Sequence, residues 1–380
     1  MIYLDAAATT PVRREVLEAM WPYLTGDFGN ASSRHSLGEA AARALAGARA
    51  VVAEVLGCRA SEVIFTSGGT EADNLAVKGI ALGSPRGRRI VTTPIEHEAV
   101  LASCDYLRRH HGFDITYLPV DGEGLVSVED ARLALRSDTT LCSVMLANNE
   151  VGAIEPVAAI AAVARSMGVP MHADAVQAAG VLDLNVPALG VDAMSLSGHK
   201  IGAPKGMGVL YLRSRLQTEP VLHGGGQERG RRSGTENVAG AVGFATALQL
   251  AEASRVERVA RLIALRDGLI AGVLAAVPDA MLTGPAVQRL AGSASFCFPG
   301  TSGEAVLLQL EQRGIVCSSG SACAAGSDQP SHVLVAMGIA PEVAQTAVRF
   351  TLSDAVTEDQ IATVVQAVHQ ACDAVRSIAR

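Results

Sequence analysis

Short apolar or β-branched runs alternate with Ala-rich stretches whose apolar residues recur at helical spacing. The runs predict strands at 63–66, 90–93, 115–118, 142–146, 171–173, 193–196 and 208–212. The stretches between them predict helices at 71–81, 99–110, 129–135 and 157–166. Strand and helix in this alternation predict an α/β fold, with a large domain built on a mostly parallel seven-stranded sheet. From 235 to 277 a long helical pattern, interrupted near Ser254, suits a helix that bridges two domains. Beyond it the character changes. Strand-like 294–298 and 315–318, a helix at 303–313 and a closing helix at 357–378 predict a smaller α+β domain. The division is 14–253 for the large domain, and 1–13 with 254–380 for the small one. With no repeat, low-complexity segment or Pro-rich linker between them, the two are expected to pack firmly.

Composition narrows the class. A chain of 380 residues has interior enough for two domains without disulfide or metal staples. Its 49% hydrophobic and 18% charged residues exclude disorder of the whole chain, and 3% aromatic residues predict an aliphatic core. Thirty-one basic residues against 38 acidic give a charge of −7, and no basic cluster is long enough to track a phosphate backbone. No nucleic-acid partner is expected. Met1-Ile2-Tyr3-Leu4-Asp5 lacks the basic and apolar regions of a signal peptide, and no apolar stretch reaches about 18 residues. A soluble cytoplasmic protein without membrane contact is the expectation.

Seven cysteines, at 58, 104, 142, 297, 317, 323 and 372, are odd in number and contain no Cys-x-x-Cys pair. Neither a disulfide framework nor a zinc site is indicated. Most read as small buried hydrophobes. Cys323 differs, because Val316-Cys317-Ser318-Ser319-Gly320-Ser321-Ala322-Cys323-Ala324-Ala325-Gly326-Ser327 has no large apolar side chain to pin it. That composition predicts an exposed loop whose thiol could swing. By itself it leaves a reactive thiol and an inert one both open.

Three strand ends carry candidate chemistry. Thr66-Ser67-Gly68-Gly69-Thr70-Glu71 leaves a strand and opens a helix, which makes either an anion cradle of free N–H groups or a plain capping turn. It fits neither the Walker nor the dinucleotide pattern. His172-Ala173-Asp174-Ala175-Val176-Gln177 ends a buried-looking strand in a carboxylate, at the sheet edge where ligands bind. Asp174 there needs a cation, unless it is only a helix cap. Ser195-Leu196-Ser197-Gly198-His199-Lys200 presents a lysine after an apolar strand, where a depressed pKa makes an amine nucleophile toward an aldehyde. Cradle, carboxylate and lysine together are what pyridoxal 5'-phosphate requires for its phosphate, ring nitrogen and aldehyde.

These motifs, with Phe65 preceding the first, Ala147-Asn148-Asn149-Glu150, and the run from Gln227 to Asn237 (Gln-Glu-Arg-Gly-Arg-Arg-Ser-Gly-Thr-Glu-Asn), resemble the cysteine desulfurases, class-V aminotransferase enzymes of fold type I. The likeness runs from about Tyr3 to the final helix. It implies that Lys200 bonds the cofactor, Asp174 pairs its ring nitrogen and Gln177 bonds its phenolic oxygen. Gly69, Thr70, Ser197 and His199 match phosphate ligands, and Thr235 matches one supplied across a homodimer interface. His97 matches the histidine that stacks on the cofactor ring and shuttles protons, though a lone histidine there would otherwise be read as structural.

The resemblance makes Cys323 the nucleophile and Cys317 structural. Arg349, helped by Asn149, would clamp the carboxylate of L-cysteine, against the alternative of an ordinary ion pair. The long loop implies direct sulfur transfer to an iron–sulfur scaffold or other acceptor protein; whether Cys323 is also a cluster ligand shared with the scaffold is left open by the sequence, and no other metal ligand is indicated. Cys104-Asp105-Tyr106-Leu107 and Ala203-Pro204-Lys205-Gly206 look most like the nitrogenase-associated branch. A housekeeping desulfurase, a selenocysteine lyase, an aminotransferase and a catalytically silent sulfur carrier are the alternatives. Ala6-Ala7-Ala8 and Ala31 depart from the family pattern and bear on N-terminal packing.

Overall fold

The computed structural model describes residues 1–320 and 329–378. After a two-residue strand β1 (Ile2–Tyr3), seven strands form one sheet: β2 (Val63–Thr66), β3 (Arg89–Thr92), β4 (Asp114–Tyr117), β5 (Thr139–Ser143), β6 (Met171–Asp174), β7 (Ala193–Ser197) and β8 (Gly208–Leu212). Their order is β2-β8-β7-β6-β5-β3-β4, and β8 alone runs antiparallel to its neighbours. This is the expected mostly parallel sheet.

Side chains alternate between two apolar layers. Ile64, Ile90, Leu141, Ala193 and Leu210 pack with the helices Gly69–Gly83 and Glu98–His111. Phe65, Val91, Cys142, Ala173 and Leu196 join the layer of the helices Ser36–Leu56, Val157–Ser166 and Val238–Ala253. Burial on both faces is why these strands read as unbroken apolar runs. The expected strand at 142–146 sits three residues too late. Thr139 and Thr140 begin the ladder instead, Thr140 Oγ1 bonding the 86–87 turn. The apolar 144–146 run is buried extended chain whose N–H groups at Val144 and Leu146 still reach His172 and Asp174 carbonyls, at 3.1 and 2.7 Å.

The long helical pattern divides at Ser254 into Val238–Ala253 and Arg255–Ala276. Next come β9 (Met281–Thr283), β10 (Ser293–Cys297), β11 (Ile315–Val316) and β12 (Ala347–Thr351). β12, β10 and β9 form an antiparallel sheet, and β11 pairs with β1 in parallel. The core here is not purely aliphatic. Phe296, Phe298 and Phe350 stack and abut at 6.0 and 6.2 Å, so a scarce residue type is concentrated where a small sheet needs large buried area. Helices Arg14–Thr25 and Ser36–Leu56, β9 and β12 lie outside the sequence reading. Among the described residues no helix is long and apolar enough to cross a membrane.

One buried ion pair ties the segment leading to Thr235 onto the sheet. Glu228 and Arg229 both adopt left-handed backbone, at φ 47° and 60°, an unfavourable state for such residues. Arg49 holds Glu228 with two 2.7 Å bonds and also bonds the Val63 carbonyl at 2.6 Å. Both side chains are buried, so Glu228→Ala strands a guanidinium and is expected to cost about 3–5 kcal/mol. Urea unfolding checks this; a loss below about 1 kcal/mol would contradict it.

Candidate active site

The carboxyl ends of β6 and β7 and the N-terminus of the helix Gly69–Gly83 border a cavity of about 290 Å³. It gathers Gly69, Thr70, His97, Asn149, Asp174, Gln177, Ser197, His199, Lys200 and Arg349. Among the described residues one predicted residue is not in it. Thr235 is exposed just before the helix Val238–Ala253. Cys323 lies outside the described residues, although Gly320, three positions before it, lines the cavity.

Each wall follows from local structure. A Cβ at Gly69 would stand 2.7 Å from Val176 Cγ2, so only glycine lets the first turn of the helix approach the strand ends. Gly208 serves the same turn from below, its missing Cβ leaving room for the backbone of Gly68. Opposite, Lys200 closes a one-turn 3₁₀ segment after β7, and its Nζ donates to the carbonyls of Ala7 and, at 2.8 Å, Ala8. Gln177 Nε2 donates to Ala7 as well, at 3.1 Å. The Ala6-Ala7-Ala8 departure therefore sits on the site itself, but it presents backbone oxygen, which is indifferent to side-chain identity.

Electrostatics separate the groups. Asp174 is buried, and burial raises its pKa while His97 and Lys200 pull it down; its Oδ1 accepts the Val176 N–H at 2.9 Å. His199 bonds Thr9 Oγ1 at 3.2 Å, and burial, then Lys200 and Lys205, lower its pKa to about 4, so it enters as a neutral donor. His97 caps the helix Glu98–His111, its Nδ1 accepting from Ala99 N at 3.1 Å. That bond engages Nδ1 in the helix cap. His97 is thus a structural cap that also lines the cavity.

Arg349, on β12, reaches the cavity from the second sheet and is 3% exposed. It donates to Asp5 Oδ1 at 2.7 Å and to the carbonyl of Asn149 at 2.8 Å, while its buried Nε has no partner among the described residues. The guanidinium is thus engaged in an ion pair with Asp5 while the residue also borders the cavity. Asn148, which the sequence reading passed over, fixes the turn carrying Asn149: its Oδ1 accepts from Glu150 and Val151 N–H groups at 2.8 and 2.9 Å. Asp5 and Asp73 were also passed over, since neither sits in a Gly-rich or strand-end motif.

Beneath the cavity His172 is fully buried, with Nδ1 2.8 Å from Ser143 Oγ and Nε2 3.0 Å from Ser195 Oγ. Burial lowers its pKa to about 3. The folded state therefore binds fewer protons than the unfolded one between pH 6.5 and about 3, so stability drops as pH falls through that window. The slope is about 1.4 kcal/mol per pH unit. The stability advantage of the unsubstituted protein over His172→Gln should shrink by that amount per unit below pH 6.5 in urea unfolding at several pH values. A difference independent of pH would contradict the assignment.

The donor set fits pyridoxal phosphate. A helix N-terminus with Gly69 and Thr70, beside Ser197 and neutral His199, suits a phosphate; a buried carboxyl at Asp174 suits a protonated ring nitrogen; Lys200 suits an aldehyde. The guanidinium of Arg349 on the cavity wall suits a substrate carboxylate.

Comparison with known proteins places this site in context. Residues 2–364 match the family described as Aminotransferase class-V. An IscS-like cysteine desulfurase of Mycobacterium tuberculosis is 50% identical over 95% of this chain and 93% of its own. Cysteine desulfurase IscS of Dictyoglomus turgidum is 44% identical over 99% and 96%. Among solved structures, a NifS-like protein superposes with a TM-score of 0.91 at 37% identity, over 97% of this chain and 98% of its own. Match, identity and superposition each span nearly the whole length: the chain belongs to the class-V aminotransferase family.

Proposed function

We propose that the protein is a pyridoxal-phosphate-dependent cysteine desulfurase that takes sulfur from L-cysteine, releases L-alanine and holds the sulfur as a persulfide on Cys323. The observation that carries this is the gathering of Lys200, Asp174, the Gly69–Thr70 cradle and Arg349 around one cavity with Gly320, at the base of the cysteine segment, on its wall. Relatives named as cysteine desulfurases and a similar solved structure described as "SspA in complex with cysteine", at a TM-score of 0.80 and 35% identity over 93% of this chain and 99% of its own, support it.

Bound in this cavity, pyridoxal phosphate supplies an electron sink for the bond to the substrate's α proton. The chain's own residues do the rest. Gly69, Thr70, Ser197 and His199 hold the phosphate, Gln177 the phenolic oxygen, and Asp174 keeps the ring nitrogen protonated. Arg349 and Asn149 orient the substrate carboxylate. Lys200 Nζ takes the α proton, and His97 would pass protons beside it. The Cys323 thiolate then forms an S–S bond as the substrate's Cβ–S bond breaks, its electron pair remaining on Cβ, which takes up a proton. Sulfur is oxidised to the persulfide level and carbon is reduced, so no external oxidant enters.

Four further elements belong to this reading. The units are 14–253 and 1–13 with 254–380, supported by the separation of the core around Phe296 from the layers on the large sheet. The enzyme is a homodimer in which Thr235 serves the partner's phosphate site; exposed Thr235 and the exposed apolar strip of Leu17, Trp21, Leu24 and Phe28 support it. The compartment is the cytoplasm, in keeping with six free cysteines among the described residues. The sulfur goes to an acceptor protein for iron–sulfur assembly, and the nitrogenase-associated branch is favoured by the 104–107 and 203–206 runs.

The test is to incubate the loaded enzyme with L-cysteine and a reducing thiol and to measure alanine and sulfide. Equal amounts of the two are expected. Selenide from selenocysteine without alanine from cysteine would favour a selenocysteine lyase, and a colourless protein after cofactor loading would favour a silent sulfur carrier.

A further inference from the structure

A second buried carboxyl lines the same cavity. Asp73 stands in the second turn of the helix Gly69–Gly83, is 1% exposed, and its Oδ1 is sealed from solvent with no hydrogen-bond partner among the described residues. The desulfurase mechanism gives it no work. An unpartnered buried carboxyl oxygen is costly, so its place beside the cofactor cavity asks for an explanation.

Its surroundings come from the sheet below. His172 and Asp174 are two residues apart on β6 and share a face; the parallel register sets Ser143 of β5 beside His172 and Ser195 of β7 beside Asp174. The helix Gly69–Gly83 lies across these strands and lowers Asp73 onto that face, its Oδ1 3.7 Å from His172 Nε2. His172 bonds Ser143 and Ser195 and stays neutral, so it offers Asp73 no positive charge. Glu96, fully buried, faces the same region with its Oε1 bonded to Thr93 and Met145 N, and brings no cation either.

The charges of the site thus fall unevenly on two carboxyls. Asp174 has the Val176 N–H, His97 and Lys200 to favour its ionised form. Asp73 has a serine hydroxyl, a neutral imidazole and two other acids. Burial, Asp174 and Glu96 all push the pKa of Asp73 up with no cation to oppose them, so of the two carboxyls Asp73 is the one that keeps a proton.

We infer that Asp73 is a positioning residue: as a neutral carboxyl it leaves Asp174 the sole anion on the cavity floor and steadies the Ser195–His172 pair against which Asp174 stands, so that the cofactor's ring nitrogen meets one negative charge in one place. This rests on Asp174 being the ring-nitrogen partner. A neutral acid also carries a hydroxyl donor where an anion would offer only acceptors.

Infrared difference spectra of the cofactor-free protein at neutral pH, unsubstituted against Asp73→Asn, test the protonation without any cofactor. Loss of a carboxylic-acid C=O band is expected; loss of carboxylate bands alone would overturn the inference. Loading with ring-¹⁵N pyridoxal phosphate then tests the positioning. Asp73→Asn, neutral and of the same shape, should keep the protonated-nitrogen signal, whereas Asp73→Leu should move it toward the unprotonated value and loosen cofactor binding by about tenfold. A ring signal unmoved in Asp73→Leu, or displaced in Asp73→Asn, would overturn it. If Asp73→Leu does not fold, the Asn variant still decides through both readouts. Asp174→Asn distinguishes the premise: a ring signal that does not respond to it refutes the Asp174 assignment and leaves the infrared result on Asp73 standing.

Discussion

Cys323→Ala should bind pyridoxal phosphate and change its visible spectrum on addition of L-cysteine as the unsubstituted enzyme does, yet release alanine at a rate lower by on the order of 10³-fold or more. The expectation comes from elimination as well as from the motif. The other six cysteines are poor thiolates: burial pushes Cys58, Cys104, Cys142 and Cys317 up to about 12, and Cys297 and Cys372 up to about 11. Cys317 is the natural substitute by position, and Asp5 beside it discourages its ionisation further. A nucleophile must be a thiolate at working pH, so none of the six can take over. Alanine release measured against time decides it, and turnover near the unsubstituted rate would remove Cys323 from the mechanism.

Lys200→Ala is the second large loss. Its Nζ is the amine in the cavity aimed between the phosphate cradle and the Ala7 and Ala8 carbonyls, and no other lysine lines that space. In the proposed mechanism its loss leaves the cofactor without a covalent anchor and the α proton without a base. The absorption band of lysine-bound cofactor should be absent, the cofactor should leave during gel filtration, and alanine formation should fall by at least about 10³-fold. Retention of that band, unshifted, would show that another amine holds the cofactor.

Much of this was legible in the residues. The seven strands stood out because both sheet faces are buried, and Asp174 and Lys200 stood out because they end apolar runs at the edge where ligands bind. What escaped was assembled across long separations. Arg349 was named by its motif, but not the strand β12 that carries it to the cavity, nor its partner Asp5 from the other end of the chain. Ala7 and Ala8 act through carbonyls, which leave no trace in residue type. Asp73 looks like an ordinary polar position of an amphipathic helix; only the fold turns it inward toward His172. The phenylalanine cluster was hidden by averaging, since a low overall aromatic content says nothing about where the few rings gather.

The desulfurase reading meets its most direct test in the mass of one peptide. The loaded enzyme is exposed to L-cysteine, its thiols are trapped by alkylation, and the fragment containing Cys323 is weighed. The account predicts that this fragment gains one sulfur atom, that the gain disappears when Lys200 is replaced by alanine, and that fragments holding Cys317 or the other cysteines do not acquire it. An enzyme that carries its cofactor and forms alanine while Cys323 never gains sulfur would contradict it.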